Sequence, residues 1–154
     1  LMEGVSHEAA SLAGHHELNK LIVFFDDNGI SIDGPTTLSV SDDNVARFKS
    51  YGWNTISIDG HNPAEIRQAL LNAKTSTKPS LIAARTKIGY GAPNKEGTAA
   101  SHGAPLGPDE IALTRESLDW PHEPFIIPTE VLEEWRRIGS RSSNVQKAWS
   151  DRLL

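Results

Sequence analysis

An apolar run, Leu21-Ile22-Val23-Phe24-Phe25, ends abruptly in Asp26-Asp27-Asn28-Gly29-Ile30-Ser31-Ile32-Asp33-Gly34. An unbroken run of large apolar side chains reads as a strand buried on both faces, as in parallel sheets covered by helices. Acidic and amide groups placed where such a strand ends lie at its carboxyl edge, where open α/β sheets bind ligands. Oxygen-rich donors suit a hard cation, and Mg²⁺ is usually held by one or two protein groups plus substrate phosphates. The first expectation is therefore a metal–phosphate site at a strand end.

The rest of the chain supplies the partners such a strand needs. Ser6 to Leu18 reads as a helix whose small apolar face is Ala9, Ala10, Leu12 and Ala13. A polar loop runs from Asp26 to Ser41, and Ser41 or Asp42 is expected to cap a short helix, Asn44 to Tyr51, that stops before Gly52. Trp53 to Ile58 alternates and reads as a strand ending at Asp59-Gly60-His61. Asn62 at the cap, Pro63 at the first helical position and Glu65 at the third predict a helix running to about Lys74. Ser80 to Thr86 is another apolar strand, and Lys87 to Gly107 is a long glycine-punctuated loop of the kind that is usually functional. Pro108-Asp109-Glu110 opens a helix to about Glu116. Thr129, after Pro128, is expected to cap a helix to about Ile138, and the tail from Gly139 to Leu154 is polar and weakly helical. Strands alternating with helices argue for βαβ units and a parallel sheet. The fold class is α/β, a partial doubly wound parallel sheet with flanking helices.

Bulk properties narrow the functions. A chain of 154 residues suffices for one domain with a core, and 38% hydrophobic with 23% charged residues is ordinary for a globular protein. A formal net charge of −5, with no Lys/Arg cluster, argues against nucleic acid or an anionic membrane as partner. The absence of cysteine excludes disulfides and thiolate metal sites and fits a reducing, cytoplasmic location. No apolar run approaches the roughly 18–20 residues of a membrane span. Leu1-Met2-Glu3-Gly4 is neither an initiator context nor a signal peptide, so the chain reads as starting mid-protein, at a helix start.

Several residues could perform chemistry. Asn28 offers a side-chain carbonyl and Ile30 a main-chain one, and Gly29 between them lets both oxygens face one point. The same residues could simply form a turn closed by local hydrogen bonds. His102, in Ser101-His102-Gly103-Ala104-Pro105, could donate to a phosphate or act as acid or base, or be a solvated loop histidine. Glu3 and Glu8 could serve a proton relay or a solvated helix end. His15-His16 reads as a solvated helix end, since adjacent helical side chains diverge. His61 follows a strand end and is placed to cap the next helix.

Taken in order, Leu1-Met2-Glu3-Gly4-Val5-Ser6-His7-Glu8-Ala9, Asp27-Asn28-Gly29-Ile30-Ser31-Ile32-Asp33-Gly34, Asp59-Gly60-His61, Ile88-Gly89-Tyr90-Gly91-Ala92-Pro93-Asn94-Lys95 and Ser101-His102-Gly103-Ala104-Pro105-Leu106-Gly107 resemble transketolase. The likeness continues through Ile111 to Glu116 and Pro124-Phe125 and covers nearly the whole chain. It implies the thiamine-diphosphate-binding fold and an enzyme that moves a two-carbon ketol unit from a ketose phosphate to an aldose phosphate, in the pentose phosphate pathway or Calvin cycle. The implied cofactors are thiamine diphosphate and Mg²⁺ or Ca²⁺, and the implied assembly is a homodimer. By position, Asn28 resembles the side-chain metal ligand and Ile30 the carbonyl ligand. Ile32 resembles the apolar wall against the thiazolium ring, and His102 the histidine touching cofactor phosphate and donor sugar. Glu3 and Glu8 resemble glutamates near the subunit interface, linked to a glutamate that activates the aminopyrimidine. Where some bacterial relatives place another histidine, this chain has Ala99.

The resemblance assigns residues 1–128 to the carboxyl-terminal part of the diphosphate-binding domain and 129–154 to a helical linker towards a pyrimidine-binding domain. The family's Gly-Asp-Gly, which holds an aspartate ligand, would end one residue before Leu1. The chain is thus expected to be a fragment, inactive by itself. Dihydroxyacetone synthase, deoxyxylulose-phosphate synthase and a truncated non-catalytic dimerisation module are the alternatives, and the Ser101 to Gly107 block favours transketolase among the enzymes.

Overall fold

The computed structural model describes residues 1–153. In chain order the elements are α1 (Gly4–His15), β1 (Ile22–Asp27), the two-residue strands β2 (Ile30–Ser31) and β3 (Gly34–Pro35), α2 (Asn44–Ser50), β4 (Asn54–Asp59), α3 (Pro63–Thr75), β5 (Ser80–Arg85), α4 (Pro108–Ser117), α5 (Thr129–Ser140) and α6 (Ser143–Leu153). Short 3-10 turns lie at Thr36–Leu38 and Ala99–Ser101. The chain divides into two compact units, Leu1–Ser117 and the residues from Leu118 onward.

In the first unit, β1, β5 and β4 form a parallel sheet in that order. Successive strand residues face opposite sides of a sheet. Leu81 therefore packs with Ala10 and Ala13 of α1 and with Phe48 and Trp53, while its neighbour Ile82 packs with Ala69 and Ala73 of α3. Helices cover both faces of β5, whose residues Ser80 to Ala84 are all buried, and this is the doubly wound arrangement that the strand–helix alternation predicts. The register sets Asp27, Arg85 and Asp59 side by side at the carboxyl edge.

The strand buried on both faces is thus β5. Among the described residues β1 is an edge strand, with Phe24 45% exposed, and it runs on through Asp26 and Asp27.

Helix α1 begins and ends earlier than its periodicity suggests. Glu17 takes a left-handed conformation (φ 50°), and Leu18 N–H donates to Ala13 O at 3.1 Å while Glu17 N–H donates to Gly14 O at 3.1 Å. This is a Schellman closure with glutamate where glycine is usual, so the stop is hidden in the sequence. The buried face is Ala10, Ala13 and Gly14, with Leu12 58% exposed. A Cβ on Gly14 would lie 1.8 Å from Tyr51 O, so the missing side chain admits the Tyr51–Trp53 turn. Trp53 Nε1–H donates to Ala10 O at 2.8 Å and fixes that contact.

The cap of α2 is Asp43, whose Oδ1 accepts from Ala46 N–H at 2.9 Å, in place of Ser41 or Asp42; Asp42 pairs with Arg47 instead. Asn62 caps α3 as expected, accepting from Ala64 N–H at 3.0 Å, while Glu65 accepts from Asp59 N–H at 2.8 Å and so ties helix to strand. Within the expected loop from Asp26 to Ser41, β2 and β3 form a small antiparallel hairpin across Ile32-Asp33.

In the second unit, α5 begins after Pro128, and Thr129 is its first helical residue without a capping side-chain bond. The tail is more regular than its polarity suggests. It forms α6, supported by Lys147–Asp151 (3.6 Å) and Gln146–Ser150 (3.2 Å) pairs four residues apart. Among the described residues, no helix is long and apolar enough to cross a membrane.

Candidate functional site

At the carboxyl end of β1 the chain turns through Asn28 and Gly29. Asn28 Oδ1 accepts from Ile30 N–H at 3.0 Å, and Gly29 sits at φ 71°, a conformation costly for other residues. The turn expected on local grounds is therefore present, and it orients the amide. An amide oxygen has two lone pairs, so the Asn28 oxygen keeps one for another partner. Asp26 accepts from Thr86 Oγ1–H and from Asn28 Nδ2–H, and Asp27 pairs with Arg85 at 3.2 Å. These bonds lock the strand end to the end of β5.

A cleft of about 550 Å³ opens over this strand end, and Asn28, Gly29, Ile30, Thr36, Asp26 and His102 are among its lining residues. His102 follows the 3-10 turn Ala99–Ser101, is exposed, and arrives from the far side of the long loop after β5. The structure thus brings Asn28, Ile30 and His102 to one place. It puts Glu3 elsewhere, on an apolar cavity of about 690 Å³ with Leu1, Ala10, Val23 and Trp53. Glu8 lines a third surface hollow with His7, His15 and Tyr51. Ile32, at the tip of the β2–β3 hairpin, is 73% exposed and does not line the cleft.

For a divalent ion, the cleft offers the free lone pair of Asn28 and the main chain around Ile30. No group of three or more His, Asp or Glu residues that could hold a metal occurs among the described residues. The donors therefore fit part of a Mg²⁺ shell, the part that substrate phosphates ordinarily complete.

The loop that delivers His102 is heavily bonded, and sequence reading missed its anchors. Lys87 N–H donates to His61 Nε2 at 2.9 Å, and the His61 ring stacks on Tyr90 with centroids 4.1 Å apart. His61 therefore ties the loop to the end of β4, and the cap of α3 is left to Asn62. Glu96 accepts from Gly91 N–H at 2.8 Å and from Lys87 Nζ at 3.0 Å, and those bonds, the Gly91 one first, hold its carboxyl below the usual glutamate value. Glu110, only 6% exposed, accepts from Asn94 N–H at 2.8 Å and Asn94 Nδ2–H at 2.9 Å. The Asn94 side chain lowers the Glu110 pKa against the opposing effect of burial. The only sequence signal was Glu110's place in the first turn of α4, which suits a carboxylate at any helix start.

The family model for transketolase, thiamine diphosphate binding domain, matches residues 1–154. The chain belongs to the transketolase family. It is 50% identical to the transketolase of Sinorhizobium medicae over 153 residues, which is 99% of this chain and 22% of that protein. It is 51% identical to transketolase 1 of Escherichia coli over 155 residues, again 99% of this chain and 23% of the relative. Among solved structures, transketolase from Pichia stipitis complexed with sedoheptulose-7-phosphate superposes with a TM-score of 0.89 at 41% identity, covering 97% of this chain and 23% of that one. Transketolase from Leishmania mexicana gives 0.89 at 39% identity over the same shares. The chain thus spans under a quarter of the length of the transketolases it matches. The parallel sheet with helices on both faces is the fold of these relatives, as the resemblance implied.

Proposed function

We propose that this chain forms the diphosphate-and-metal end of a thiamine-diphosphate site in an enzyme that transfers a two-carbon ketol unit from a ketose phosphate to an aldose phosphate. The observation that supports it most is the meeting of Asn28 and His102, far apart in sequence, in one cleft at the carboxyl end of β1. When bound, thiamine diphosphate supplies the electron sink for breaking and making the carbon–carbon bond. The chain's own residues supply position and charge. Asn28 Oδ1 and the Ile30 carbonyl are the donors for Mg²⁺ or Ca²⁺, with phosphate oxygens and a carboxylate from another segment completing the shell. His102 donates to the diphosphate and to the donor sugar, and an imidazole can both give and take a proton there. Ile32 offers an apolar side chain to the thiazolium ring from the hairpin tip.

Glu3 and Glu8, which lie outside the cleft in two separate hollows, face a partner subunit in a homodimer and support proton movement to the aminopyrimidine. Residues 1–128 complete the diphosphate-binding part, and 129–154, with α5 and α6, lead towards a pyrimidine-binding domain. The working compartment is the cytoplasm, and the acidic net charge keeps nucleic acid and membranes from being partners.

The experiment is a ketol-transfer assay on the protein containing this chain, with and without thiamine diphosphate and Mg²⁺. Transfer that requires both is expected. A folded protein that transfers nothing with both present would leave the non-catalytic module as the better reading.

A further inference from the structure

His102 reaches the cleft on a segment that is held at both ends by a single residue, Lys95. The Lys95 carbonyl accepts from Ser101 Oγ–H at 2.7 Å and from Thr98 Oγ1–H at 2.8 Å, just before His102. The Lys95 ammonium donates to Leu106 O at 2.7 Å, just after it. Gly89 presses on the same place: a Cβ there would lie 2.5 Å from Ser101 Oγ. Lys95 donates its own N–H to Ala92 O at 3.2 Å and directly follows Asn94, which is held by the buried carboxylate of Glu110 through both its main-chain and side-chain N–H groups. Helix α4 is thereby coupled to the histidine through Glu110, Asn94 and Lys95.

We infer that Glu110 is a positioning residue for the reaction: through Asn94 and Lys95 it sets where His102 stands over the cleft, without touching substrate or cofactor itself. This rests on the function proposed above for His102. A carboxylate suits the task because both its oxygens are acceptors and both face donors. Glutamine has the same shape, but would turn an N–H against one of Asn94's donors and lose a bond inside a buried pocket. Exchanging the two groups restores the pairing with its polarity reversed: in the N94D/E110Q double variant, the glutamine oxygen still takes the main-chain N–H of residue 94, and its amide now donates to the new carboxylate.

The test compares wild type, E110Q, N94D and N94D/E110Q in the protein containing this chain. Each is assayed for ketol transfer at saturating thiamine diphosphate and Mg²⁺, and for amide hydrogen exchange at Thr98, Ser101 and His102. Small misplacements of a positioned group cost up to about a hundredfold in rate, so E110Q is expected to lower kcat at least tenfold while the KM for the acceptor sugar changes far less. Exchange at Ser101 and His102 should quicken, and the double variant should recover most of both losses. A kcat within twofold of wild type in E110Q, or a double variant no better than E110Q, overturns the inference. If wild type itself transfers no ketol unit, the proposed function falls and exchange alone decides: faster exchange at His102 in E110Q supports the coupling, and unchanged exchange overturns it.

Discussion

Asn28 and Gly29 shape the base of the cleft in different ways. Gly29 supplies a backbone conformation near φ 71°, and Asn28 spends one lone pair on the Ile30 N–H while holding the other free. A turn of this kind can close its local bond and still present the amide oxygen to a cation, so the turn reading and the proposed ligand role do not compete. Replacing Asn28 by alanine removes both the donor and the bond that aims it. In the protein containing this chain, calorimetry should show Mg²⁺-dependent binding of thiamine diphosphate weakened by about tenfold or more, the scale of losing one charge-assisted contact of roughly 1.5–3 kcal/mol. Unchanged metal affinity in Asn28→Ala would count against the ligand role. These residues were legible because Asn-Gly after a strand is local chemistry. Glu110 was not, because the donors that its carboxylate takes from Asn94 lie outside its own helix.

At the scale of elements, the close approaches and the long loop respond to different perturbations. Gly14 in α1 meets Tyr51 O at 1.8 Å from an added Cβ, whereas Gly139 in α5 has nothing within 4 Å. Gly14→Ala should lower stability by several kcal/mol, as overpacking against backbone does. Gly139→Ala should raise it by about 0.5–1 kcal/mol through helix propensity. Thermal melts of the two variants moving in the same direction would refute this packing account. The α1 face predicted from periodicity included Leu12, which is exposed, and missed Gly14. A hydrophobic pattern cannot register a contact made by the absence of a side chain.

The loop also carries a pH signature. Glu96 and Glu110 both have pKa values lowered in the folded state, by the Gly91 N–H and by the Asn94 side chain respectively. A lowered folded pKa contributes stability that is complete above the unfolded value, about 4.3 for glutamate, and is lost as pH falls through the lower folded value. The loop should hold its order from neutral pH down to about 5 and loosen only in more acid solution. Amide shifts of Gly91 and Asn94 report this directly. Loosening that begins near neutral pH would contradict this assignment to Glu96 and Glu110.

For the molecule as a whole, the alternation of strands and helices was enough to give a doubly wound parallel sheet. What it did not give was which strand lies in the middle. Leu21 to Phe25 is the more apolar run, yet among the described residues β5, with its small Ala83 and Ala84, is the covered strand and β1 stands at the edge. Strand order depends on which helices cross over which face, and no single strand records that. The site follows from this order, since β5 carries Arg85 and Thr86 to the end of β1 and launches the loop that returns with His102.

The return of His102 to this cleft is tested most directly by one substitution. In the protein containing this chain, His102→Ala is compared with wild type for ketol-transfer turnover at saturating cofactor and for thermal midpoint. His102 is exposed and caps no core contact, so the midpoint should move little. Turnover should fall by about a hundredfold or more, the range for a positioned group that donates to reacting or charged atoms. Turnover that stays near the wild-type value in a folded His102→Ala protein would contradict the assignment of this cleft.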